Sequence, residues 1–325
     1  MVLLLIGSAL IFLLCLVAMV LMFIFLTSET YAKVVRFKEE YSFLNPQTGE
    51  RELFPSIEDN PTILLSVIVP AYNEEKRLPA MLDDCLEYLE KLIQINSDNT
   101  YELIIVDDGS SDGTTEVGLK YSKKYGSEKI RVLTLTQNRG KGGAVRLGML
   151  SARGKQLLFA DADGATKFED LSKLQNVMND IVKGQQSSDS LGLVCGSRAH
   201  LEEEAIATRT VFRTILMKGF HFLVWLFAAR SIRDTQCGFK LLTRATAQLC
   251  FPNLHIERWA FDAELIYIAE YLKIPTGEVS VRWTEIEGSK IVPVWSWLQM
   301  GRDLFLIWFR YSTRAWRIQV NSKYK

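Results

Sequence analysis

The sequence predicts an α/β protein with a mainly parallel sheet covered by helices on both faces. One transmembrane helix precedes it, and amphipathic helices suited to a membrane interface follow it. Three observations carry this. Apolar runs and helical periods alternate from about residue 63 to residue 160, the rhythm of a parallel sheet wound with helices. Three of the apolar runs end in polar turns containing acids, and the ligands of an open α/β sheet collect at the carboxyl ends of its strands. The chain also begins with an uncharged apolar stretch, Val2 to Leu26, long enough to cross a bilayer with some tilt.

That first stretch is expected to stay as an anchor, residues 1–27. A cleaved signal peptide has an apolar region of about 7–15 residues behind a basic segment, and neither feature fits. Lys33, Arg36 and Lys38 follow the span, so the positive-inside rule places the bulk of the protein in the cytosol. Residues 28–62 are charged, carry the turn signals Asn45-Pro46 and Phe54-Pro55, and read as a linker with a short helix near Tyr31 to Tyr41.

The catalytic core is expected at residues 63–250. Its strands are Leu64 to Val69, Tyr101 to Val106, Ile130 to Leu135 and Gln156 to Ala160, and its helices run from Arg77 to Ile93, onward from Thr114, and from Gly142 to Arg153. Further strands are expected at Leu191 to Cys195 and Glu278 to Trp283. Ile215 to Ala229 is nearly apolar, but Lys218 and His221 interrupt it, and it is too short to span. In the C-terminal part, residues 251–325, Val294 to Phe309 mixes Trp295, Trp297 and Trp308 with Arg302, Asp303 and Arg310. Such a helix either lies at the headgroup level of a bilayer or packs on the domain.

Composition excludes several classes. Lys plus Arg equals Asp plus Glu, for a net charge of zero, which removes the electrostatic case for nucleic-acid binding. Cys15, Cys85, Cys195, Cys237 and Cys250 show no C-x-x-C spacing, and only three histidines are present, so a zinc cluster is not expected and a reduced compartment fits.

The chemistry concentrates at strand ends. Asp161-Ala162-Asp163 closes the run Gln156 to Ala160, and side chains two apart on an extended strand share a face, so both carboxylates can meet one hard cation, Mg²⁺ or Mn²⁺. Such a cation can hold a diphosphate. Upstream, Pro70-Ala71-Tyr72-Asn73-Glu74 ends one strand, with Tyr72 offering a flat face for stacking. Val106-Asp107-Asp108-Gly109-Ser110 ends another, where an Asx-turn with helix caps explains part of the pattern but not two adjacent acids. Asn138-Arg139-Gly140-Lys141-Gly142-Gly143 lacks the spacing of a Walker loop, because Gly142 follows Lys141. It can instead bring a helix N-terminus and cations to a diphosphate.

Together these motifs resemble the nucleotide-sugar half of the Rossmann-like GT-A glycosyltransferases, the large second family that includes the polyprenyl-phosphate sugar synthases. The resemblance covers about Ile63 to Lys290. It implies that Pro70, Tyr72, Glu74, Val106, Asp108, Lys141, Asp161, Ala162 and Asp163 bind the donor, with Asp108 accepting from uracil and Asp161 and Asp163 holding the metal. It also implies that Arg198, Arg209, Arg213, Lys240, Ser289 and Lys290 surround an acceptor phosphate, with Arg209, Arg213 and Lys290 acting in catalysis beside the two metal-binding acids. Gln236-Cys237-Gly238-Phe239-Lys240, Trp259-Ala260-Phe261-Asp262-Ala263-Glu264 and Trp283-Thr284-Glu285 are similar to the glucose-transferring members of that branch. Mannosyl relatives, which use GDP-mannose, typically carry arginine where Thr284 and Lys240 stand. The implied activity is inverting transfer of glucose from UDP-glucose to dolichyl phosphate at the endoplasmic reticulum membrane, by a single-pass protein facing the cytosol, in support of protein N-glycosylation. The alternatives are mannosyl transfer from GDP-mannose and a non-catalytic nucleotide-sugar binder. Asp262 and Glu264 are expected to face polar partners rather than to serve as bases. The sequence leaves open whether the chain is a monomer or a homo-oligomer.

Overall fold

A computed structural model describes residues 2–185, 189–200, 219, 231–286 and 295–320. Among them the sheet has seven strands: β3 (Ile63–Ala71), β4 (Tyr101–Asp107), β5 (Ile130–Thr134), β6 (Gly154–Ala160), β7 (Leu193–Ser197), β8 (Phe239–Thr243) and β9 (Thr276–Ser280), in the spatial order β5-β4-β3-β6-β8-β7-β9. A separate hairpin, β1 (Ser42–Leu44) with β2 (Arg51–Leu53), precedes it. Strands β5, β4, β3 and β6 are mutually parallel, β8 runs antiparallel to both β6 and β7, and β7 is parallel to β9. The sheet is therefore mainly parallel, as expected.

The parallel strands are near-continuous apolar runs because both faces are covered. Every residue of β4 is buried. On one face lies helix α2 (Leu78–Ile95), whose Leu78, Met81, Leu82, Cys85, Leu86 and Leu89 form a buried stripe at helical spacing. Helices α3 (Thr114–Tyr125) and α5 (Leu171–Lys183) share that face. The other carries α4 (Lys141–Leu150), α6 (Arg244–Cys250) and α7 (Phe261–Tyr271). Helix α1 (Val2–Leu26) stands outside this core, and Ile6–Leu26 has a mean hydropathy of 3.2 with none of it buried in the protein. It is long and apolar enough to cross a membrane.

Three sequence expectations are corrected here. Strand β8 is absent from the sequence reading, because Lys240, its second residue, breaks the apolar run. The segment expected to be a linker is docked instead: Phe43 and Ile57 join the buried core, Glu40 is fully buried, and Arg244 donates to the carbonyls of Ser56 and Asp59 at 3.0 and 2.8 Å. Within it only Lys38–Tyr41 is helical, as a 3₁₀ turn. The C-terminal part also does not begin at a boundary, since α6 leads directly into a 3₁₀ turn, Phe251–Asn253, and β9 pairs with β7 inside the same sheet.

The last helix, α8 (Trp295–Ser312), packs on the domain, the second of the two arrangements expected for it. Leu304 and Ile307 are buried against the core, while Leu298 is 63% and Trp308 40% exposed. Apart from Gly219, the Ile215 to Ala229 stretch lies outside the described residues.

Candidate active site

The carboxyl ends of β3, β4 and β6 open together into a cavity of about 550 Å³, and the turns that line it are stapled to one another. After β3, Asn73 takes a left-handed backbone conformation (φ 53°). Its amide donates to Ser110 Oγ at 2.9 Å, and its side-chain oxygen accepts the Ser111 amide at 2.8 Å. Tyr72 and Glu74 are thereby held at the wall, with Glu74 paired to Arg77 at 2.5 Å.

The two adjacent acids after β4 divide the work. Asp107 accepts the Ser110 amide at 2.9 Å and the Thr115 hydroxyl, so it shapes the turn and ties it to the start of α3. Asp108 faces the cavity and holds its far wall, its two oxygens accepting the backbone amides of Arg139 (2.7 Å) and Gly140 (2.8 Å). Burial pushes its carboxyl up to about 6 despite those two bonds.

The glycine-rich loop is built for close approach. Gly140 lies at φ +89°, and a Cβ on Gly142 would fall 2.6 Å from Phe261 Cβ. The Gly143 amide donates to the Glu257 carbonyl at 2.9 Å. The first turn of α4 thus packs on residues 257–261, and what it brings to the cavity is the Lys141 ammonium. Lys141 Nζ lies 2.6 Å from Asp161 Oδ1. Burial alone lowers its pKa, but the charges of Asp161, Asp262 and Asp163 outweigh that and hold it above the usual lysine value.

Asp161, Ala162 and Asp163 all line the cavity at the end of β6. Burial, reinforced by the Asp161 charge, pushes the Asp163 carboxyl above its usual range, and its Oδ1 accepts the Ala165 amide at 3.0 Å. Strand β8 enters the sheet beside this mouth, so that Gly238 stands against Asp161, whose amide donates to the Gly238 carbonyl at 3.1 Å.

This donor set fits a hard divalent cation. Two carboxylates share a cavity roomy enough for a diphosphate, and Mg²⁺ commonly takes one or two carboxylates and completes its shell with substrate phosphates and water. No group of three or more potential protein ligands exists among the described residues, so the remaining positions would fall to substrate and solvent.

Of the expected donor residues, Pro70, Tyr72, Glu74, Asp108, Lys141, Asp161, Ala162 and Asp163 line the cavity, and Val106 does not. Val106 is fully buried on β4 and sits beneath α4, close to Gly148. Arg198 reaches the cavity, although Asp234 holds its guanidinium with two bonds at 2.8 and 2.9 Å and Trp283 lies beneath it at 5.4 Å. Lys240 is the main correction. It is fully buried, and its ammonium donates to the Cys237 carbonyl and to Asp262 Oδ1, each at 2.6 Å, so no donor is directed at an acceptor phosphate. Arg209, Arg213, Ser289 and Lys290 lie outside the described residues.

Removing one partner of a buried pair strands the other charge. Lys240→Met is therefore expected to cost about 3–5 kcal/mol of stability, read as a fall in the thermal midpoint of the detergent-solubilised protein. A midpoint like the wild type's would show that Asp262 does not depend on it.

As expected, Asp262 and Glu264 face polar partners. Glu264 accepts the amides of His255 and Ile256 and the Tyr311 hydroxyl. Arg77 and Arg258, which the sequence did not flag, also line the cavity, as do Gln236 and Trp259, which stand in the segments that carry the resemblance but had no assigned role. Arg77 stands three residues after Glu74, a helical spacing that could have flagged their ion pair. The segment carrying Trp283 and Glu285 returns to the loop after Asp163, where the Thr284 amide donates to the Ala165 carbonyl at 2.9 Å.

Comparison with known proteins adds three findings. The profile of glycosyl transferase family 2 matches residues 66–245, more than half of the chain. A dolichyl-phosphate β-glucosyltransferase of Drosophila melanogaster is 62% identical over 291 residues, covering 90% of this chain and 88% of that one. The human protein of the same name is 57% identical over 299 residues (92% and 91%), and that of Saccharomyces cerevisiae 43% over 269 residues (80% and 78%). Among solved structures, a glucosyl-3-phosphoglycerate synthase from Mycobacterium tuberculosis aligns at a TM-score of 0.49 with 18% identity, covering 80% of each chain, a similarity too low to bear on function.

Proposed function

The chain belongs to glycosyl transferase family 2, among its dolichyl-phosphate β-glucosyltransferases, and from that premise we propose that it moves glucose from UDP-glucose to dolichyl phosphate with inversion, releasing UDP. The observation that carries the proposal is the cavity that Asp161, Asp163 and Lys141 line together with Tyr72 and Asp108. The first three offer charge for a diphosphate, and the other two a ring and an acceptor for a nucleobase.

An acceptor phosphate monoester has its second pKa near 6, so at neutral pH it is already an anionic nucleophile. A phosphate oxygen attacks C1 of glucose from behind, the bond from C1 to the UDP oxygen breaks, and its electron pair leaves with UDP. No proton has to be removed. The binding of Asp262 by Lys240 accords with this, since a hydroxyl acceptor would need a free base there. Asp161 and Asp163 would hold Mg²⁺ or Mn²⁺, which when bound supplies positive charge against the departing diphosphate. Lys141 adds a fixed cation on the same side, and Tyr72 and Asp108 orient the uridine. Arg198, with Arg209, Arg213, Ser289 and Lys290 from the stretches beyond the described residues, is assigned to the acceptor phosphate, where charge-assisted bonds offset the repulsion between two anions.

Helix α1 serves as the anchor, and the domain faces the cytosol at the endoplasmic reticulum membrane, where the glucosyl lipid serves N-glycosylation. A protease added outside sealed microsomes is expected to digest everything beyond Ser28, and protection without detergent would reverse the orientation. The deciding assay supplies membranes bearing the protein with dolichyl phosphate and either labelled UDP-glucose or labelled GDP-mannose. Glucolipid only from the first supports the proposal, whereas mannolipid, or no transfer from either, defeats it.

A further inference from the structure

We infer that Glu40, in the segment that joins the membrane helix to the sheet, is a positioning residue of the donor site. The inference rests on reading the cavity as the site of a uridine diphosphate sugar. Glu40 is fully buried, and its carboxylate accepts four bonds. Oε1 takes the amide and the hydroxyl of Thr136, both at 3.0 Å, and Oε2 takes the Phe37 amide and Arg139 Nη2, both at 2.9 Å. Its carbonyl is held in turn by Arg36, which also donates to Ser151 Oγ at the end of α4.

Arg139 is the residue through which this reaches the cavity. Its guanidinium, pinned by Glu40 and by the Val35 carbonyl, lies over the Phe37 ring. Its backbone amide is the one that donates to Asp108 Oδ1 at 2.7 Å, and the next amide, that of Gly140, takes the other oxygen. The residue after that is Lys141, whose ammonium lies on Asp161. Three consecutive residues thus set the orientation of a nucleobase acceptor and of a diphosphate cation, and the first is fastened to the juxtamembrane segment by a buried ion pair. Glycine at 140, at φ +89°, leaves the loop little rigidity of its own; residues 257–261 hold it from one side, and the buried ion pair fastens it from the juxtamembrane side.

A buried ion pair also stabilises the fold by being satisfied, so the test must separate position from stability. Glu102 provides the comparison. It is equally buried and as heavily engaged, with Ser66 Oγ at 2.6 Å, Arg131 at 3.0 Å and both the amide and guanidinium of Arg153, but it stands at the amino end of the sheet, away from the cavity.

The experiment measures UDP affinity by calorimetry, with kcat and KM for UDP-glucose, on the full chain in detergent well below its melting temperature. Glu40→Gln is expected to weaken UDP binding and raise KM by about tenfold or more, as for loss of a charge-assisted contact, while kcat changes by less than about threefold. Glu102→Gln should lower the thermal midpoint comparably and leave UDP affinity unchanged. In the double variant Glu40→Gln with Arg139→Gln, no charge is left buried without a partner, so stability should recover while UDP affinity stays low. Wild-type UDP affinity in Glu40→Gln, a matching affinity loss in Glu102→Gln, or recovery of affinity in the double variant would overturn the positioning role. Failure of the wild-type protein to bind UDP would overturn the reading of the cavity along with it.

Discussion

Asp163→Asn is expected to leave a folded, membrane-bound protein with transfer lowered by on the order of a thousandfold, and Asp161→Asn by on the order of a hundredfold or more. Both substitutions keep the side-chain shape, and an amide oxygen can still accept the Ala165 amide that Asp163 Oδ1 takes at 3.0 Å. What is removed is charge at the point where, on the proposed function, a diphosphate leaves. The measurement pairs initial rates of glucolipid formation with UDP binding in the presence and absence of Mn²⁺. Wild-type UDP affinity should rise with the ion and that of Asp163→Asn should not, and chelator should abolish wild-type transfer until Mg²⁺ or Mn²⁺ is returned. Full turnover by the Asp163 variant, or by wild type in excess chelator, would remove the metal from the reading.

Gly238→Ala is expected to be nearly as damaging, from a position that carries no functional group. A Cβ there would run into the Asp161 carboxylate, far inside ordinary carbon–oxygen contact. Either Asp161 rotates away from Lys141, or β8 is pushed off β6 and loses the bond from the Asp161 amide to the Gly238 carbonyl. Transfer should fall about a hundredfold, with a stability loss of about 1–3 kcal/mol, as for other overpacked sites. Gly277→Ala is the matched comparison: it crowds Val177 at 2.7 Å on the far edge of the sheet and should cost stability with little change in transfer. Equal activity in the two variants would show that the Gly238 contact does not govern Asp161.

Much of the cavity proposed to bind the donor was legible from local pattern. Strands β3, β4 and β6 announce themselves as apolar runs because both faces of the sheet are covered, and a polar turn after each such run lies at the ligand edge by topology alone. The residues assigned to the acceptor were less legible. Lys240 lies in an order of residues similar to acceptor-binding stretches, yet it is the interior of an antiparallel strand. Nothing within a few residues of it reveals that its partner, Asp262, is 22 positions away. Glu40 offers the same lesson in the opposite direction: charged surroundings and turn signals read as a linker, while its carboxylate is buried against an arginine 99 positions away.

Which ionisable groups stand at the strand ends follows from local pattern, because strand periodicity and turn residues act over a few neighbours and need no knowledge of the rest of the chain. Which of those charges are already paired is set by long-range packing. A carboxylate or ammonium taken out of water must be paired, and the pairs that form, Lys240 with Asp262, Glu40 with Arg139 and Lys141 with Asp161, are chosen by which segments the sheet order brings together. That order sets Asp161 and Lys141 at the mouth of the cavity and encloses Lys240 behind them.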